Sequence, residues 1–170
     1  ILGESPNLGV NGALGARGVI ASAYSPSILN TLEYITISTL GNALDFGDST
    51  LARHALGSCS SSTRGVFGGG EKSNSPSPGT SFTNTIDYIT ISSTGDAIDF
   101  GDLNSSVRGY CRAFSSSTRG IFGGGAVPTL TNQIDYITIA STGDAKDFGD
   151  LNGVMERHGT LSSSTRGLFA

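Results

Sequence analysis

The sequence predicts an all-β fold built from repeated four-stranded antiparallel sheets, and three observations point there. One phrase recurs, as Ser60-Ser-Ser-Thr-Arg-Gly-Val-Phe-Gly-Gly-Gly70, Ser115-Ser-Ser-Thr-Arg-Gly-Ile-Phe-Gly-Gly-Gly125 and Ser162-Ser-Ser-Thr-Arg-Gly-Leu-Phe-Ala170. Short β-branched and aromatic runs alternate with Gly and Ser/Thr clusters, the pattern of strands joined by tight turns. No window sustains a helical period. A degenerate copy, Gly15-Ala-Arg-Gly-Val-Ile-Ala21, puts Arg17, Arg64, Arg119 and Arg166 in one series with spacings of 47, 55 and 47. Spacings in this range mark a repeat architecture.

Four phrases make a unit, clearest in the third copy. Arg108–Phe114 reads as the first strand and Arg119–Gly125 as the second. Gln133–Ile139 is the most strand-like, with counterparts Leu32-Glu-Tyr-Ile-Thr-Ile37 and Ile86-Asp-Tyr-Ile-Thr-Ile91. Ser141-Thr-Gly-Asp144 supplies a turn that tolerates positive φ. Lys146–Leu151 closes the unit as a short charged edge strand, matching Asp45-Phe-Gly-Asp48 and Asp99-Phe-Gly-Asp102. The expected organisation is one repeat domain over 1–170, with units 6–52, 53–107, 108–156 and a partial unit 157–170. The chain opens in mid-pattern at Ile1, without an initiator Met, as a processed or partial chain would.

Bulk properties narrow the partners. Net charge is −4 and only 14% of residues are charged, with no local basic patch. That argues against nucleic acid and anionic membrane surfaces as partners. No apolar run is long enough for a membrane helix, so no membrane insertion is expected. Cys59 and Cys111 fall at unequal repeat positions and are expected to be buried free thiols rather than a disulfide.

The order of these features resembles a kelch repeat: an arginine, a strand of small residues, a strand ending in Gly-Gly, a loop, an aromatic strand, a bulky aromatic, then another arginine. Arg108, Gly123-Gly124, Tyr136, Phe148 and Arg157 occupy those places in order, and the resemblance covers nearly the whole chain. The family's tryptophan is absent, with Phe46, Phe100 and Phe148 in its place, and the first copy lacks the glycine pair. The wording is also similar to kelch-type structural proteins of marine bacteriophages and their cyanobacterial hosts. The resemblance implies four-stranded blades of a β-propeller, of which this chain would be a part. The alternative fold is a three-fold β-prism or β-trefoil.

Individual motifs favour structural roles. Gly68-Gly-Gly70 and Gly123-Gly-Gly125 lack the following helix that a phosphate loop needs. Asp-Phe-Gly recurs without any other kinase motif. The Asp96/Asp99/Asp102 series spaces its carboxylates to opposite faces of a hairpin, which does not converge on a cation. His54 and His158 do not make a metal site. No nucleophile elbow is present, and no cofactor or catalytic residue is expected. Repetition assigns fold-holding roles to Arg17, Arg64, Arg119, Arg166, Gly69, Gly124, Tyr88, Tyr136, Phe100 and Phe148. The arginines are expected to reach Asp87, Asp135 or turn carbonyls of a neighbouring unit. Phe67, Phe122, Tyr88, Tyr136, Phe100 and Phe148 are expected to be buried between sheets.

Length varies at one structural position, 71–85 in one unit against 126–133 in the next. Such a loop is where repeat proteins usually bind. The candidate binding residues are Glu71 and Lys72 as a charge pair, Asn74 and Ser77 as hydrogen-bonding groups, and Phe82 as a stacking face. The expected function is a non-enzymatic structural and binding module with protein partners in an assembly. It would sit on a virion (tail or fibre) or an extracellular surface and attach to a cell-surface receptor or glycan. The alternatives are part of a propeller enzyme and a three-fold carbohydrate-binding lectin.

Overall fold

A computed structural model describes residues 17–22, 27–72, 81–104, 107–127 and 129–170, and among them there is no helix. The first sheet has the order β1 (Arg17–Ala21), β2 (Thr31–Thr36), β3 (Leu44–Asp48). The second runs β4 (Gly57–Ser60), β5 (Arg64–Gly68), β6 (Thr85–Thr90), β7 (Ile98–Asp102). The third places β8 (Arg112–Ser115) beside β9 (Arg119–Gly123), with β10 (Ala126–Val127) and β11 (Thr129–Leu130) forming a separate ribbon. It continues with β12 (Gln133–Thr138) and β13 (Lys146–Asp150). A two-stranded sheet of β14 (Thr160–Ser162) and β15 (Gly167–Phe169) ends the chain. All pairings are antiparallel, so the fold is all-β with two complete four-stranded sheets.

The repeat holds in register even where the wording drifts. Each third-to-fourth strand pairing slips at the same place, between Leu32 and Glu33, Ile86 and Asp87, and Ile134 and Asp135. The acidic residue after the slip is buried in the second and third units, Asp87 and Asp135, and exposed in the first, Glu33. The expected first strand is shorter than the phrase Arg108–Phe114, because the chain first turns at Tyr110 with φ 57°. Gly124 and Gly125 likewise leave the second strand at positive φ, which their lack of a Cβ permits.

Consecutive sheets pack face to face, and their first strands β4, β8 and β14 touch in series. Leu32 and Phe46 of the first sheet meet Phe67, Ile89 and Ala97 of the second. Val66, Ile86 and Phe100 meet Cys111, Ala113, Phe122, Ile137 and Ala145 of the third. Glycines make the close approach possible. A Cβ on Gly68 would sit 2.7 Å from the Phe122 ring, and one on Gly120 would sit 2.6 Å from Cys59 Sγ. Cys59 and Cys111 are both buried and free, as their unequal positions predict.

Polar locks repeat at the same boundaries. The turn of the second sheet donates Gly95 N–H to Phe46 O (2.7 Å) and Ala97 N–H to Asp48 O (2.8 Å). Asp96 Oδ1 accepts from Asp48 N–H at 3.0 Å. At the next boundary Gly143 N–H donates to Phe100 O (2.7 Å) and Ala145 N–H to Asp102 O (2.8 Å). Asp144 Oδ1 accepts from Asp102 N–H at 3.0 Å. The turn aspartates therefore bind backbone between units.

Arginines provide a second lock. Arg17 Nη1 donates to Ile91 O at 2.9 Å, and Arg64 Nη1 donates to Ile139 O at 3.0 Å. Their guanidinium carbons lie 4.7 and 4.4 Å from the ring centroids of Tyr34 and Tyr88 in their own sheets. Of the partners expected for this series, neighbouring turn carbonyls are the ones found. Asp87 and Asp135 pair instead with Arg53 and Arg108, all four side chains fully buried. Asp87 also accepts from Thr50 N–H (2.9 Å) and Thr50 Oγ1–H (2.7 Å). Asp135 accepts from Asn104 N–H (3.2 Å) and Gln133 Nε2–H (3.0 Å). Burial still pushes the Asp135 carboxyl above its ordinary value, against the pull of Arg108 and those donors.

Two expectations need correction. Phe67, Phe100 and Phe122 are buried, but Phe148 is 52% exposed, because β14 and β15 cover only part of the face it lies on. Tyr88 and Tyr136 are half-buried, each capped by the arginine of its own sheet. The second correction concerns register. Gly70 N–H donates to Arg108 O and Gly125 N–H to Met155 O, so Met155, not Arg157, stands where Arg53 and Arg108 stand. Arg157 corresponds to Ala55 and Tyr110, which share its positive φ of 55–57°. His158 is correspondingly displaced from the place of His54.

Candidate functional site

The length-variable loop leaves the second sheet after Gly70, and both its ends are tied down. Glu71 and His54 exchange backbone hydrogen bonds of 2.8 and 3.0 Å. Lys72 N–H donates to Ser81 O at 2.7 Å, and Thr83 N–H donates to Gly70 O at 3.0 Å. The segment between these anchors, including Asn74 and Ser77, lies outside the described residues.

Side chains tighten the same base. Glu71 Oε1 accepts from Ser81 Oγ–H at 3.0 Å, and Glu71 Oε2 accepts from the Tyr110 hydroxyl of the following unit. His54 Nε2 lies 3.6 Å from Glu71 Oε2, and His54 Nδ1 lies 3.1 Å from Glu71 O. The hydrogen bond to Glu71, and then burial, raise the Tyr110 hydroxyl above the ordinary tyrosine pKa. Phe82 packs edge-on to Tyr110, with centroids 5.7 Å apart and planes at 84°. Arg157, from the unit after that, holds its guanidinium 4.1 Å from the Tyr110 ring centroid and is largely exposed.

Three non-glycine residues in left-handed conformation line up here. Tyr110 N–H donates to Ala55 O at 2.9 Å, and Arg157 N–H donates to Tyr110 O at 3.2 Å. Each such residue costs about 1–3 kcal/mol and persists only where surrounding contacts over-determine it. The ladder carries the loop base of one unit onto the next two.

The candidate residues thus divide. Glu71 is a clamp whose carboxylate is already engaged. Phe82, expected as an exposed stacking face, is only 5% exposed and is a core residue of the loop base. Lys72 is exposed beside the clamp. Gly69 and Gly124 abut the backbone carbonyls of Arg108 and Met155, holding successive units together as repeat positions should. Arg119 sits over Tyr136 at 4.7 Å, while Arg166 lies exposed at the end cleft.

Sequence reasoning missed Tyr110, His54, Ser81 and Arg157 here. Their partners lie in other units, and only recurrence could signal them. Tyr110 has no aromatic counterpart at Ala55, so recurrence was silent. No group of three metal-ligating side chains converges among the described residues. An exposed ammonium, an exposed guanidinium and a half-exposed tyrosine at a loop rim suit polar, hydroxylated or anionic groups. No protein-family model matches the chain, and no curated protein matches it significantly.

Proposed function

We propose that this chain is a non-catalytic structural and binding module whose sheets are kelch-like β-propeller blades. They serve as a stiff support that displays loops for attachment to a cell-surface receptor or glycan. Its setting in this reading is a protein assembly on a virion, such as a tail or fibre, or on an extracellular surface. One observation carries the reading. The described residues on either side of 73–80 are locked together, Glu71 to Ser81, His54 and Tyr110, so both ends of the insertion are anchored to the sheets. A loop anchored in this way loses less conformational freedom when it binds.

The test replaces residues 73–80 with a Gly-Ser linker and compares the two proteins by thermal melting, glycan-array binding and attachment to cells. The reading expects an unchanged Tm with attachment abolished. Attachment that survives the replacement would place recognition elsewhere and overturn it.

A further inference from the structure

At the base of the 73–80 insertion sits a histidine whose proton positions are set by its neighbours. His54 Nδ1 lies 3.1 Å from Glu71 O, a carbonyl that can only accept, so Nδ1 must carry a hydrogen. In the neutral ring Nε2 then holds a lone pair, and it lies 3.6 Å from Glu71 Oε2. A second proton can bind only at Nε2, where it turns that contact into an ion pair. The carboxylate is held in place for it, since Oε2 already accepts from Tyr110 and Oε1 from Ser81. The two side chains are 25% and 12% exposed, so water screens them less than a surface pair.

The other charges around this pair are engaged or turned away. Arg53, next in the chain, points into its own sheet toward Asp87. Arg157 lies over the Tyr110 ring and is 3.8 Å from Glu156, and Lys72 follows Glu71 as an exposed side chain. The repeat itself does not ask for the pair. His54 and Glu71 form a backbone bridge whose counterpart in the third unit is Gly109 with Ala126, and neither of those titrates. That unit has the short connection, 126–133, whereas the titratable pair occurs in the unit with the long one, 71–85.

We propose that His54 is a proton switch for the loop base: a proton at Nε2 ties it to Glu71 and tightens both ends of the insertion, and its loss loosens them. Glu71 reaches both ends, because its backbone bonds to His54 and its neighbours Gly70 and Lys72 bond to Thr83 and Ser81. The change falls between roughly pH 5 and 8, where an ordinary histidine changes charge. A proton that binds the closed base better than the open one stabilises the closed base at the acid end of that range, and the gain is lost as pH rises. Attachment through the insertion then strengthens on acidification, a consequence that rests on the loop-display reading above.

Long-range proton–nitrogen NMR of the full chain at about pH 8 should find His54 protonated at Nδ1 and bare at Nε2. A His54 protonated at Nε2 there overturns the proposal, since that proton would already face Glu71. Hydrogen exchange, corrected for intrinsic rates, should show the Lys72 and Thr83 amides opening about threefold less, or fewer still, at about pH 5.5 than at about pH 7.5, with β9 unchanged. His54→Asn, which keeps a donor toward Glu71 O, and Glu71→Gln, which removes the charge at the same shape, should each abolish the difference. Equal opening at the two pH values in the parent overturns the proposal, and so does a difference that survives in both variants. If a variant does not fold, the NMR and exchange results on the parent chain still decide. Base amides that respond to pH in a chain whose attachment survives replacement of 73–80 would support the switch and overturn loop display alone, which separates the two failures.

Discussion

Removing one member of a buried ion pair should reveal how strongly a unit is held together inside. Asp87→Ala strips the counter-charge from Arg53, whose side chain is fully buried. Arg53 keeps Nη1–H to Thr85 O at 2.6 Å and Nη2–H to Phe67 O at 3.3 Å, neither of which neutralises it. Thr50 loses its acceptor too, but it is exposed, so water satisfies its donors at little cost. The dominant cost is therefore the uncompensated cation, about 3–5 kcal/mol. That is a large share of the roughly 5–15 kcal/mol holding a typical domain together. Arg53→Met with Asp87→Val removes both charges and should lie within about 2 kcal/mol of the parent, since buried pairs exchange for apolar residues at small net cost. The chain makes half of that exchange itself at Met155. Urea melts of Arg53→Met, Asp87→Val and the double variant form the cycle, with an expected coupling of about 2 kcal/mol or more. A loss below about 1 kcal/mol for Asp87→Ala, or a double variant that costs the sum of the singles, would show that the two buried charges do not depend on each other.

Phe122→Ala should cost about 3–5 kcal/mol, whereas Phe148→Ala should cost under about 1 kcal/mol, because only the first leaves a cavity; equal losses in urea would contradict the packing described. Both thiols should resist disulfide-exchange reagents in the native protein and react on unfolding, since each is buried and free. Burial pushes the Cys59 thiol up from 9.0 to about 12, so the native state keeps a proton that the unfolded chain releases. Stability should then be intact below pH 9 and fall between pH 9 and 12, and Cys59→Ala should flatten that slope. Tyr110 should ionise above its ordinary value of 10.0 in an ultraviolet titration, and Glu71→Gln should bring it back down; no change would remove Glu71 as the cause.

What the sequence made legible was what recurs. Arg17, Arg64, Gly69, Tyr88 and Phe100 hold the repeat together because a periodic stack asks the same contact of the same position each time. The sequence also placed the variable loop correctly as an insertion between the second and third strands. It was silent where a contact joins unlike positions of different units. The Glu71–Tyr110 bond is such a contact, and so is the burial of Phe82 against Tyr110. The pairing of Asp87 and Asp135 with Arg53 and Arg108 was misassigned because two arginine series run through the chain. Which series meets the buried carboxylates is set by contacts between distant strands, which the wording does not carry. Arg157 misled for a related reason. Counting back from Arg166 as from Arg64 and Arg119 reaches Met155, which breaks the wording while keeping the geometry.

If the 73–80 insertion carries recognition, the repeats hold still while it meets the target. A hydrogen-exchange footprint of the full chain, with and without the tightest-binding array glycan, decides this. New protection is expected only in peptides covering 69–84 and 107–112, with β6, β7, β12 and β13 unchanged. Protection centred on those strands, or none in the loop peptides, would contradict it.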